Sequence, residues 1–160
     1  MSLTIVPAYD YLTDIRQLFS EYTDMLVKGD PSFREYLKVQ HYEAELDDPI
    51  DKYGPPYGKL YIALVNGDPA GCIALRRIDN HSCEMKRLFV RPTYRNRGIG
   101  SKLVQIILKD ARTIGYRRML LDTLPFLERA IQMYRKLGFH EIPIYNDSPM
   151  TSAIYMQLDL

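Results

Sequence analysis

The stretch from Cys83 to Gly115 limits the possible folds more than any other part of the chain. It opens with a β-type run, C-E-M-K-R-L-F-V at 83–90, passes through R-P-T-Y-R-N-R-G-I-G-S at 91–101, and continues with Leu103, Ile107, Asp110/Ala111 and Ile114 on one helical face before Gly115. Such a strand needs a sheet to join, and the helix needs an apolar face to cover. Between them Gly98 and Gly100 lack Cβ atoms, so the backbone can turn sharply and bring free amide groups at a helix start close to a ligand. Arg91, Arg95 and Arg97 add fixed positive charge, which suits a pyrophosphate and a further phosphate.

Two familiar phosphate loops do not fit. No G-x-x-x-x-G-K-[ST] string is present, and G-x-G-x-x-G belongs to a parallel βαβ unit. Here the strand ends an antiparallel meander: L-Y-I-A-L-V at 60–65, a turn at Asn66-Gly67-Asp68-Pro69, G-C-I-A-L-R-R-I at 71–78, a second turn at 79–81, then 83–90. Neither ATP nor NAD is favoured.

Upstream, Tyr11, Ile15, Leu18, Tyr22 and Met25 predict an amphipathic helix over Asp10 to Val27, ended by Gly29. Asp30-Pro31 reads as the start of a second helix running to about Leu46, and 47–58 as a loop. Downstream come strand 119–123, helix Phe126 to Leu137 closed by Gly138, and two last runs near 139–145 and 153–158. The predicted order is ααβββαβαββ, an α/β (α+β) fold with a mixed, mostly antiparallel sheet flanked by helices. The last run, A-I-Y-M-Q-L, is expected at a sheet edge where a second copy could pair, so a homodimer is compatible with the pattern.

At 160 residues, with 46% hydrophobic and 26% charged side chains, the composition is that of one globular domain spanning 1–160. No apolar run approaches the ~20 residues of a membrane helix, and the amino terminus has no basic and apolar leader, so no membrane association and a cytoplasmic location are expected. Cys72 and Cys83 then read as buried free thiols, and His41, His81 and His140 are too scattered to predict a metal. Residues 1–84 carry eight basic and fourteen acidic side chains, whereas 85–118 carry ten and one. That focus attracts an anion, either a nucleic acid or a phosphorylated small molecule. Its tyrosines, Tyr94 and Tyr116, stand far apart rather than interleaving the basic residues, which argues against nucleic acid.

Arg95-Asn96-Arg97-Gly98-Ile99-Gly100 matches [QR]-x-x-G-x-[GA] in full, and A-I-Q-M-Y-R-K-L-G-F follows at 130–139. In these two segments, and in the element order around them, residues 59–160 resemble the GNAT superfamily of acyl-CoA-dependent N-acetyltransferases. The resemblance implies acetyl-CoA as co-substrate, without a metal, in a V-shaped cleft where strand 83–90 splays from strand 119–123. It also implies that Leu88, Phe89 and Val90 run beside the pantetheine arm, with backbone groups of Leu88 and Val90 bonding it. Arg95, Asn96, Arg97, Gly98, Ile99, Gly100 and Ser101 would surround the phosphates.

By the same resemblance Tyr134 is the acid that protonates the leaving thiolate. Glu84 is the candidate base, its pKa raised by partial burial, since an attacking amine with a reference pKa of about 10.4 must lose a proton. Where many relatives have Asn, seven residues before the tyrosine, this chain has Leu127, which removes one polar contact to the cofactor arm. Cys83 has no histidine near it in sequence, so direct transfer in a ternary complex is expected rather than an acyl-enzyme. The acceptor is expected to be a small-molecule or peptide amine, and the acidic excess of 1–84 favours a cationic one. A catalytically silent acyl-CoA-binding sensor of the same fold is the alternative.

Overall fold

The computed structural model describes residues 2–160. Its elements are β1 (Leu3–Pro7), α1 (Leu12–Gly29), α2 (Phe33–Val39), α3 (Tyr42–Asp47), α4 (Pro49–Tyr53), β2 (Lys59–Val65), β3 (Asp68–Arg77), β4 (Ser82–Val90), α5 (Ile99–Ile114), β5 (Arg118–Thr123), α6 (Glu128–Leu137), β6 (His140–Ile142) and β7 (Ile154–Asp159). The seven strands form one sheet in the order β1-β2-β3-β4-β5-β7-β6. Every neighbouring pair is antiparallel except β4 with β5. That parallel pair is short: Ser82, Cys83 and Glu84 lie against Arg118, Met119 and Leu120, and beyond Glu84 the two strands separate.

The sheet is buried on both faces, so strand residues divide by parity between two cores. Ile73, Leu75, Cys83 and Met85 face Leu103, Ile107 and Ala111 of α5. Leu60, Ile62, Cys72 and Ala74 face Ile15, Leu18 and Phe19 of α1. Each fully buried Leu, Ile or Phe stabilises the fold by about 1.5–3 kcal/mol before entropy is counted, which makes these two stripes the main cohesive force.

The parity of β4 reverses partway. Leu88 and Val90 pack against the same core as Cys83 and Met85, although their positions are of opposite parity. Cys72 opposes Phe89 but Ala74 opposes Lys86, so β4 carries one extra residue here, and Arg87 takes φ 58. This is a β-bulge. It turns the Arg87 side chain to the face that Lys86 already occupies, so that both donate to Gln40 Oε1.

The fold class agrees with the sequence, and four details of the predicted order do not. A strand, β1, precedes the helices; it is five residues long, ends in Pro7 and sits at the sheet edge beside β2, so alternation had little length in which to show. The single predicted second helix is two short ones, α2 and α3, broken where His41 takes φ 54, and a third, α4, starts after Asp48 within the predicted loop. Its start is also later than predicted, because Asp30 Oδ1 accepts from the amide and hydroxyl of Ser32, forming a turn before the helix. Finally, β7 is interior, paired with β5 on one side and β6 on the other, so the C-terminal run offers no edge to a second copy.

Candidate active site

Where β4 and β5 part, a cavity of about 630 Å³ opens between the layers. Residues 85–90 of β4 and 121–123 of β5 border it, α1 and α2 wall one side, and the starts of α5 and α6 the other. Met150 and Ala153, from the segment between β6 and β7, also border it.

At the α5 end the site is built for an anion. Gly98 takes φ 77, and the first bond of the helix is Lys102 N to Gly98 O, so the amides of Ile99, Gly100 and Ser101 precede the ladder. A Cβ at Gly98 would meet no atom within 4 Å, and one at Gly100 only Val90 Cγ2 at 3.9 Å. Neither glycine is required by protein packing around its α-carbon; the space they leave is open to the cavity, as close approach of a phosphate would need. The Arg95 guanidinium lies over the Phe89 ring and donates through Nε to Val90 O at 2.9 Å. Arg97 stacks 5.8 Å from the Tyr94 ring centroid. Asn96, at φ 64, is held by Arg129, and Ser101 Oγ accepts from Gln105.

Two sequence expectations about this loop change. Arg91 is an anchor rather than a phosphate-facing charge: it grips Glu21 of α1 through two bonds, at 2.9 and 2.7 Å, and Pro69 O at 2.9 Å. The Val90 carbonyl is occupied by Arg95, which leaves it less free to bind the pantetheine arm than the resemblance implies. Leu88, Phe89, Val90 and Ile99 all border the cavity. The Phe89 and Ile99 side chains belong to the cores on opposite faces of the sheet.

Tyr134 of α6 is buried on the cavity wall with its ring against Phe139, and burial pushes its pKa up, so the phenol holds its proton at neutral pH. Leu127, at the N-cap of α6, also borders the cavity and brings no cap hydrogen bond. Glu84 is placed differently from expectation. It is 1% exposed, lies behind the wall rather than on it, and binds Arg76 Nε and the Tyr145 hydroxyl. Burial acts to raise its pKa, but Lys86 and Arg76 outweigh that and hold the carboxyl below its ordinary value. The expected upward shift is therefore corrected.

Two carboxylates do border the cavity, Glu128 at the start of α6 and, where the strands part, Asp122 of β5. Asp122 Oδ2 accepts from the Tyr36 hydroxyl and from Asn146 Nδ2 at 2.9 Å. Opposite it, on β4, stand Lys86 and Arg87. Arg87 is buried and forms a two-pronged pair with Glu45, at 2.8 and 3.0 Å, and Lys52 adds a third charge at 2.9 Å. Burial works to raise the Glu45 pKa, but Arg87 and Lys52 bring it down to about 2. Burial pushes the Lys86 pKa down, partly offset by Glu84 at 4.0 Å.

Sequence reasoning missed Asp122, Tyr36, Gln40 and Lys86. One local signal was available: adjacent Lys86 and Arg87 would point to opposite faces of a regular strand whose other residues, Ser82 and Glu84 apart, are apolar, and they mark the bulge. Cys72 and Cys83 are free and buried, and burial pushes the Cys83 thiol up to about 12, as inert thiols require. Among the described residues no group of side chains is arranged to hold a metal, and no helix is long and apolar enough to cross a membrane.

An open sheet parted between its two parallel strands, with a glycine-bearing helix start at the mouth of the gap, defines a class of folds that offers a cleft and, at one end of it, backbone amides suited to an anion. Residues 13–139 match the model of the acetyltransferase (GNAT) family. An uncharacterised N-acetyltransferase of Schizosaccharomyces pombe is 34% identical over the whole chain and 95% of its own length. The chain belongs to the GNAT family of acetyltransferases. Its fold is shared by an acetyltransferase from Streptococcus agalactiae (TM-score 0.77, 24% identity, 99% of this chain and 98% of the other). A PaiA N-acetyltransferase from Thermoplasma acidophilum, in complex with coenzyme A, shares it too (TM-score 0.77, 20% identity, all of both chains).

Proposed function

We propose that this protein transfers the acetyl group of acetyl-CoA directly to a primary amine. The observation that carries this reading is the continuity of one cavity from the α5 amides, along the freed edge of β4, to the Tyr134 phenol and the Asp122 carboxylate. Acetyl-CoA would supply the thioester. The amides of Ile99, Gly100 and Ser101, with Arg95, Arg97 and Asn96 around them, would hold its phosphates, and Leu88, Phe89 and Val90 would border the arm.

Asp122 takes the proton from the acceptor's ammonium, directly or through a water, in place of Glu84. The freed nitrogen attacks the thioester carbonyl carbon, a C–N bond forms, and the C–S bond breaks as its electron pair moves to sulfur. Tyr134 gives the sulfur its proton, which burial keeps on the phenol until then; the second proton of the nitrogen, shed as the amide forms, restores the phenol through water, and Asp122 returns its proton to solvent. Glu84 acts at a distance by fixing Lys86, Arg76 and Tyr145.

Calorimetric titration with acetyl-CoA, beside ATP and a short oligonucleotide, tests the cradle; release of free thiol with an amine panel tests transfer. Selective acetyl-CoA binding with thiol release supports the reading. Binding without release to any amine would establish the sensor alternative, and no binding would refute the assignment of the loop.

A further inference from the structure

We propose that the acceptor is a free α-amino acid with an apolar side chain, its carboxylate held by Gln40 and Lys86 and its amino group presented to Asp122. This rests on the acetyltransferase reading and specifies the acceptor end of the same site. Gln40 Oε1 accepts from both Lys86 Nζ and Arg87 Nη2, at 2.9 Å for the latter, so the amide can be oriented only one way. That leaves Nε2 as a donor, buried and without a partner, on a side chain that borders the cavity. A buried amide donor left unpaired is destabilising, so a ligand acceptor that reaches this point is favoured.

Lys86 supplies the charge. Its ammonium is buried, borders the cavity, and uses one donor on Gln40 while lying 5.9 Å from the Tyr36 ring centroid. Two N–H groups of an ammonium remain for another acceptor. Of the acidic residues nearby, Glu45 is occupied by Arg87 and Lys52, and Glu84 bonds Arg76 and Tyr145 and pairs with the Lys86 ammonium only at 4.0 Å, beyond hydrogen-bond reach, so it leaves those N–H groups available.

The opposite charge is one tyrosine away. Tyr36 has its ring beside Lys86 and its hydroxyl on Asp122 Oδ2, where Asn146 also binds, so the ammonium of the acceptor would meet Oδ1. A donor pair and a carboxylate set across a single aromatic ring match the two ends of a zwitterion. The surrounding wall is apolar, with Leu26, Phe33 and Met150 in one cluster that borders the cavity, which selects an aliphatic or aromatic side chain over a charged one. A polyamine would place a second cation against Lys86 and Arg87 and is disfavoured.

The test uses the full chain with acetyl-CoA and three acceptors that share one side chain: leucine, leucinamide and isoamylamine. Acetyl-CoA affinity is measured first by calorimetry. The expected result is a kcat/KM for leucine about tenfold or more above both analogues, since a site built to pair with a group rejects molecules lacking it. Gln40→Glu keeps a partner for Lys86 and Arg87 but removes the donor and adds a repelling charge; it should erase the preference through KM. Equal or better use of leucinamide by the unaltered protein overturns the proposal, as does acetyl-CoA binding with transfer to none of the three, or an undiminished preference in Gln40→Glu. Failure to bind acetyl-CoA would instead remove the acetyltransferase reading beneath it.

Discussion

Glu45 shows what one buried residue contributes here. Its carboxylate answers Arg87, which the β4 bulge turns inward, and removing one partner of such a pair leaves a desolvated charge at a cost of about 3–5 kcal/mol. Glu45→Gln should lower urea stability at neutral pH by that order. The folded pKa of about 2 lies below the ordinary 4.5, so the carboxylate's contribution is complete above pH 4.5 and is lost as pH falls toward 2. It is worth about 3 kcal/mol by the same shift. Unfolding curves between pH 6 and 3 should therefore be steeper for the unaltered chain than for Glu45→Gln, and parallel curves would contradict the pair's role. Tyr134→Phe keeps the ring against Phe139 and removes only the proton donor. It should lower kcat by about 10²–10⁴ with acetyl-CoA affinity nearly unchanged, and unaltered turnover would return Tyr134 to a packing role. These residues differ in how legible they are. Tyr134 sits in a recognisable local segment, whereas the Tyr36 contact to Asp122 spans 86 positions and Gln40 to Lys86 spans 46. No local pattern encodes a pairing at such distance.

At the scale of elements, the start of α5 was readable because its message is contiguous: glycines, arginines and helical periodicity all fall within 95–114. The short helices α2 to α4 were not, because one break depends on His41 entering a left-handed conformation that a non-glycine residue does not announce, and the other falls at Asp48 before Pro49. The two glycines at the start of α5, Gly98 at its N-cap and Gly100 in its first turn, separate by experiment. Gly98 needs its positive φ, so Gly98→Ala should destabilise the fold by about 1–2 kcal/mol. Gly100 lies inside the first turn with room around it, so Gly100→Ala should gain about 0.5–1 kcal/mol of helix stability. Yet the added methyl faces the proposed phosphate site and should weaken acetyl-CoA binding. Thermal unfolding and calorimetry on the same variant read the two effects, and a Gly100→Ala protein that is more stable and binds equally well would refute the cradle.

Over the whole molecule, the meander β1–β4 and the β5–β7 unit meet in the sheet along only three residue pairs, with the cavity beginning where pairing stops. A ligand lying in that gap would replace strand pairing as the connection between the two parts. A ligand at 100 times its Kd stabilises the native state by about 2.7 kcal/mol, but where the protection appears depends on what the ligand touches. Adenosine 3′,5′-bisphosphate, the nucleotide end of coenzyme A, should slow hydrogen exchange only around 95–102, where α5 begins. Acetyl-CoA should in addition slow the amides of Leu88–Val90 and Leu121–Thr123, because its acyl arm must pass along both freed strand edges to reach Tyr134. If acetyl-CoA protects only the region that the bisphosphate protects, the arm does not enter the gap, and the parted strands serve some purpose other than bringing a thioester to the acceptor.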